Sequence, residues 1–216
     1  MKASTMVALL AGLVSAAPAD VDRRQIGLST SNELTSGACR DVIFIFARGT
    51  TEQGNMGSAV GPQTCSALKS RIGSTSVACQ GVGSPYAADV TGNFGTRGAS
   101  TVGIAEGKRL FELAASKCPN SQIVAGGYSQ GAALIAASVT DVSAAVKAKI
   151  AGVVLFGYTK NQQNRGVIPG GYPASQTKVY CNIGDLVCTG SLTITAAHLT
   201  YGRDASSAAQ FLQGTL

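Results

Sequence analysis

Tryptophan is absent from the chain and histidine occurs once, at His198. With a single imidazole and no Cys-x-x-Cys pair, the usual zinc ligands are too few, so no metal and no other cofactor is expected. Charge is sparse: 13% of the residues are Asp, Glu, Lys or Arg, with 17 basic against 11 acidic and a formal net charge of +6. The basic residues are scattered and do not interleave with aromatics, which argues against a nucleic-acid surface. The excess reads as solubility, with a mild preference for acidic surfaces. No Asn-x-Ser/Thr acceptor occurs, so no N-linked glycan is expected. Internal repeats and low-complexity linkers are also missing.

No apolar run approaches the ~20 residues that a membrane-spanning helix needs, so no transmembrane segment is expected. The N-terminal run, Met6 to Val14, follows Lys2 and leads into small residues from Ser15 to Ala17. This is the pattern of a signal peptide over residues 1–16 and of a secreted, extracellular protein. A polar stretch, 17–24, ends in Arg23-Arg24 and reads as a propeptide, which places the mature start near Gln25. Residues 25–216 are then one domain, long enough to bury a substantial core, and a monomer is expected. All six cysteines fall in it. An even number in an exported chain points to disulfides, and spacing alone does not choose among the pairings.

Short apolar runs alternate with helix-like stretches, which predicts an α/β fold around a mostly parallel sheet of five strands. Residues 41–46, 75–82, 121–126, 150–156 and 178–183 read as the strands, the first apolar enough to be covered on both faces. Helices are expected over 58–71, 99–117, 132–139 and 204–213. In the second of these Val102, Ala105, Leu110, Leu113 and Ala114 are expected to share the buried face.

The strand ending at Gly126 runs into Gly127-Tyr128-Ser129-Gln130-Gly131, followed by an Ala-rich helix. A Gly-x-Ser-x-Gly turn between strand and helix exposes the serine hydroxyl at the carboxyl edge of a sheet, and Ser129 is therefore the candidate nucleophile. A serine needs a base, and His198 is the one imidazole available. The orienting acid should lie between them, where Asp141 and Asp185 are the two choices. Asp141 reads as the N-cap of a helix over 142–149. Asp185 follows a strand and sits between Cys181 and Cys188, a better position for the third member. The Gln130 backbone N–H, at the helix start, is one expected oxyanion donor, and Thr50, on the Gly49-Thr50-Thr51 loop, is the other.

Phe46-Ala47-Arg48-Gly49-Thr50-Thr51-Glu52, Cys118-Pro119, Gly126 to Ala133, Leu155 to Lys160 and Cys181 to Cys188 together resemble the fungal cutinases, from about Cys39 to Leu212. The resemblance implies an α/β-hydrolase three-layer sandwich with helices on both faces and no lid. It implies Ser129, Asp185 and His198 as the triad, and an oxyanion hole from Thr50 and Gln130 with Asn93 steadying the Thr50 side chain. It also implies disulfides Cys39–Cys118 and Cys181–Cys188. Many members have serine in place of Thr50. Cys65 and Cys79 are paired in some members, and a third bridge between helix and strand is geometrically reasonable.

No long amphipathic insertion is available to cover Ser129, so the site should stand open. Val90 and Phe94 on one loop, with Leu186, Val187, Leu192, Ile194 and Leu199 on the other, are expected to rim it. Such a rim suits an insoluble polyester such as cutin or a lipid-like ester surface. The alternatives are an acetylxylan-type esterase on the same fold and a non-catalytic secreted binding or elicitor protein.

Overall fold

A computed structural model describes residues 29–216. The expected signal peptide, propeptide and start at Gln25 lie outside the described residues.

Five strands form the sheet: β1 Val42–Ala47, β2 Val77–Gly81, β3 Gln122–Tyr128, β4 Ile150–Phe156 and β5 Thr177–Tyr180. Their order is β2-β1-β3-β4-β5 and every neighbouring pair is parallel, so the sheet is parallel throughout rather than mostly so. The apolar runs that mark the strands arise because both faces are covered, as a parallel sheet requires. Along β1, Ile43, Ile45 and Ala47 enter one core and Val42, Phe44 and Phe46 the other. Helices α1 (Gly61–Ile72), α2 (Thr101–Lys117), α3 (Gln130–Asp141) and α4 (Ala205–Gln213) complete the layers. The first core takes Ile104, Leu110 and Phe111 of α2 and the Ala-rich face of α3. The second takes Leu68 of α1 and Ala208, Ala209 and Leu212 of α4.

Several expected boundaries move. Helix α1 begins at Gly61 rather than 58, because Pro62 occupies its first turn, where a missing N–H costs nothing. On α2 the expected face is right in part: Leu110 and Ala114 are buried and Leu113 packs against the core, but Val102 and Ala105 are exposed, and Ile104 and Phe111 take their place beside Gly103 and Gly107. A Cβ on Gly107 would meet Ser138 Oγ at 2.4 Å, so α2 and α3 approach closely along a strip without side chains. Asp141 does not cap the following turn. The Ser143 hydroxyl does so by accepting from the Val146 N–H, and Asp141 pairs with Arg97 at 2.7 Å on the surface. Strand β5 ends at Tyr180, not at 183, and Cys181 to Asp185 form a turn closed by the Asp185 N–H on the Asn182 carbonyl.

Three disulfides fasten the loops: Cys39–Cys118, Cys65–Cys79 and Cys181–Cys188. The second joins α1 to β2 and the third clasps the loop after β5. Among the described residues no helix is long and apolar enough to cross a membrane.

Candidate active site

Because the strands run parallel, their carboxyl ends share one edge. The chain order reverses between β1 and β3, whose outgoing loops diverge and leave a crevice. Ser129 leaves β3 at this point. Its backbone has φ 57° and ψ −121°, a conformation that L residues rarely adopt and that the surrounding structure must hold in place. The flanking glycines make the turn possible: a Cβ on Gly127 would meet the Gly131 carbonyl oxygen at 2.3 Å, and one on Gly131 the Ala47 oxygen at 2.1 Å. The Ser129 N–H is fixed on the Phe156 carbonyl of β4.

Here the sequence-predicted residues meet. His198 Nε2 lies 3.0 Å from Ser129 Oγ, and His198 Nδ1 lies 2.9 Å from Asp185 Oδ2. Ser129, Asp185 and His198 are 7%, 4% and 2% exposed, so the chain of hydrogen bonds runs through a region shielded from water. An ionised carboxylate can only accept, which assigns the imidazole proton to Nδ1 and leaves Nε2 to accept the serine hydroxyl. The other Asp185 oxygen accepts from the Val187 N–H at 3.0 Å.

The loop after β1 is fixed by the charged residues of its own motif. Glu52 accepts from the N–H groups of Gly49, Ser58 and Ala59. Arg48 donates to the carbonyls of Glu52 and Ala87, and the Tyr86 hydroxyl donates to the Arg48 carbonyl. The Thr51 N–H bonds the Ala88 carbonyl, whereas the Thr50 N–H makes no hydrogen bond within the described residues. Thr50 Oγ1 accepts from Asn93 Nδ2 at 2.9 Å and Gln130 Nε2 at 3.3 Å. With both lone pairs engaged, the Thr50 hydroxyl proton is left to donate elsewhere. The Gln130 backbone N–H heads α3, where first-turn amides have no helical partner. Gln130 Nε2 also bonds the Asp89 carbonyl, which fastens the 90–94 turn to the same cluster. The Thr91 hydroxyl and then the Gly92 N–H hold the Asp89 carboxyl below its ordinary range.

Of the expected rim, Val90, Phe94, Leu186, Leu192, Ile194 and Leu199 are exposed, Phe94 most at 73%. Val187 is not part of it. It is 1% exposed, because residues 186–189 form a 3-10 turn in which Leu186 faces outward while Val187 and Cys188 face inward. Ile183 is fully exposed on the neighbouring turn, a position that the expected strand over 178–183 concealed. Among the described residues every helix longer than two turns packs on a face of the sheet, which leaves short turns around Ser129.

Three neighbours of the imidazole escaped sequence reasoning. The Tyr128 ring lies 5.0 Å from that of His198, and its hydroxyl donates to the His198 carbonyl. Tyr201 meets the imidazole edge-on and donates to Asp185 Oδ2. A Cβ on Gly157, at φ 54°, would meet His198 Cε1 at 2.7 Å. Tyr128 ends β3 inside the serine motif and Gly157 directly follows β4, so both are legible as strand boundaries, though not as supports of the imidazole. Burial pushes both phenols well above the ordinary tyrosine range, with nearby carboxylates adding to the rise, so both remain protonated donors. Among the described residues no three His, Cys, Asp or Glu side chains gather where they could hold a metal ion.

Comparison with known proteins agrees with this architecture. The family model described as Cutinase matches residues 38–216. "Probable cutinase 3" of Neosartorya fischeri is 56% identical over 209 residues, covering 97% of this chain and 95% of that protein. "Cutinase 1" of Fusarium vanettenii is 52% identical over 213 residues, covering 95% and 92%. Among solved structures, Trichoderma reesei cutinase in complex with a C11Y4 phosphonate inhibitor superposes with a TM-score of 0.76 at 33% identity, covering 91% of this chain and 84% of the other. With the sheet, the serine turn and these full-length relatives together, the chain belongs to the cutinase family.

Proposed function

We propose that the chain is a secreted serine esterase that hydrolyses the ester bonds of cutin, the polyester of plant cuticle. It takes other carboxylic esters and short-chain acylglycerols as well. The observation that carries this reading is the shielded chain of hydrogen bonds from Ser129 Oγ through His198 to Asp185. Ser129 attacks the ester carbonyl while His198 Nε2 takes its proton. His198 then returns that proton to the departing alcohol and activates the water that releases the acid. Asp185 holds the tautomer and stabilises the imidazolium. The Gln130 N–H, the Thr50 N–H and the Thr50 hydroxyl receive the oxyanion, with Asn93 and the Gln130 amide holding that hydroxyl by its lone pairs.

The substrate reading rests on family membership and on the surface around the serine. Val90 and Phe94 on one side and Leu186, Leu192, Ile194 and Leu199 on the other are apolar and exposed, as a site that meets a solid or lipid-like ester requires. Purified protein offered cutin, acetylxylan and long-chain triglyceride in parallel tests this. Cutin monomers released by the unmutated protein and not by Ser129→Ala are the expected result. Release of acetate from acetylxylan in place of cutin monomers would shift the assignment to the acetylxylan-type alternative. Unchanged activity in Ser129→Ala would remove the nucleophile.

A further inference from the structure

Tyr201 lies outside the triad, the oxyanion site and the rim, yet it touches the centre of the triad. Its hydroxyl donates to Asp185 Oδ2 at 2.5 Å, the same oxygen that receives His198 Nδ1 at 2.9 Å. The direction of that bond is fixed. The Asn182 N–H, a donor, reaches the Tyr201 oxygen at 3.1 Å, and a carboxylate can only accept, so the single phenolic proton is committed to Asp185. The ring is fully buried against Phe156 of β4 and Tyr128 of β3, and it meets the imidazole edge-on with centroids 6.0 Å apart. One rigid side chain thus ties the acid's loop and the histidine's turn to the sheet.

We propose that Tyr201 is a positioning residue for the triad, one whose hydroxyl fixes the place and the charge of the Asp185 carboxylate and, through it, sets how strongly His198 binds a proton. The inference rests on the reading of Ser129, His198 and Asp185 as a catalytic triad. Each donor to a carboxylate spreads its negative charge and weakens its hold on the other partners. Three donors converge on Asp185: Tyr201, the Val187 N–H and His198. Without the Tyr201 hydroxyl the carboxylate attracts the imidazolium more strongly, so His198 keeps its proton to higher pH and is less available as a base at a given pH. The carboxylate is also freer to rotate away from Nδ1. The titratable groups that face the imidazole are Asp185 from the loop after β5, Tyr128 from β3 and Tyr201 itself, with Glu52 of the β1 loop acting on Tyr128 through its field. Gly157, directly after β4, presents only backbone.

The test is the pH dependence of kcat and KM for Tyr201→Phe on a soluble p-nitrophenyl ester. Tyr172→Phe serves as the control: it deletes a buried hydroxyl that bonds the Ile150 carbonyl and no group of the triad. Tyr201→Phe is expected to lower kcat about tenfold with KM nearly unchanged. The acidic limb of kcat/KM should move about half a unit toward higher pH. Tyr172→Phe should lose a similar amount of thermal stability and leave both quantities in place. In a second variant, 3-fluorotyrosine at position 201 keeps the ring and strengthens the donor, so the limb should move toward lower pH. An unmoved limb in both Tyr201 variants, or an equal loss of kcat in Tyr172→Phe, would overturn the proposal. A flat profile in the unmutated enzyme, or activity surviving in Ser129→Ala, would instead overturn the reading of the triad.

Discussion

Thr50→Val is the most informative single change in the oxyanion site. It keeps the shape and the β-branch of the side chain and replaces only the hydroxyl. In the structure that hydroxyl accepts from Asn93 and Gln130, so its proton is free to point at the developing oxyanion. Removing one preorganised donor of this kind costs roughly 10²–10³ in kcat, because the bond is made to the charge of the transition state rather than to the ground-state carbonyl. The Thr50 and Gln130 backbone N–H groups remain, so the expected loss lies near the lower end, about 10²-fold, with KM altered less than threefold. Stability should fall by about 1 kcal/mol, since Asn93 keeps its bond to the Val90 carbonyl and Gln130 its bond to the Asp89 carbonyl. The assay is steady-state hydrolysis of p-nitrophenyl butyrate, with calorimetry on the same samples. Thr50→Ser should retain most of the activity. A Thr50→Val enzyme within twofold of the parent, or one impaired in KM alone, would refute the placement of the hydroxyl at the oxyanion.

Asp185→Asn removes the acceptor that selects the His198 tautomer and should lower kcat by roughly 10³–10⁴ with the fold retained, measured by kinetics and circular dichroism. Gly157→Ala puts a methyl group 2.7 Å from His198 Cε1 at a backbone φ of 54°. Displacing the imidazole should cost about 10²-fold in kcat/KM, which the same esterase assay reads. A rate that requires a neutral imidazole should climb with pH as the imidazole sheds its proton, and a flat profile would count against His198 as the base. Replacing Cys65 and Cys79 with serine opens a loop of sequence separation 14, worth about 3 kcal/mol. In a domain of this size that lowers Tm by roughly 6–12 °C and leaves room-temperature kcat unchanged.

The strands were legible because a parallel sheet covered on both faces needs unbroken apolar runs, and Ile150–Phe156 is read at its true bounds. Strand β5 was overextended. Its residues are only half-buried, and Ile183 looks like a strand residue in sequence although it stands in solvent on a turn. The N-terminal half of the buried face of α2, where Val102 and Ala105 stand exposed, is hidden for a different reason. There α2 approaches α3 at Gly103 and Gly107, and apolar periodicity passes over positions that work by having no side chain. At the site, the serine turn, its histidine and its acid lie in patterns that the chemistry itself demands. Their supports do not. Tyr201 bonds Asp185 across 16 residues of irregular turns, and neither periodicity nor spacing marks such a pair. Val187 illustrates the same limit, since only the local 3-10 geometry decides that it faces inward while Leu186 faces out.

In the proposed mechanism Ser129 Oγ is the atom that attacks the ester carbonyl. A p-nitrophenyl alkylphosphonate, which transfers its phosphonyl group to an activated hydroxyl, tests it without reference to any natural substrate. The expected result is one adduct per chain, loss of activity in step with its formation, and the added mass on the peptide containing Ser129, with Ser129→Ala left unlabelled. Full inactivation with the adduct on another residue, or undiminished activity in a chain fully labelled at Ser129, would contradict it.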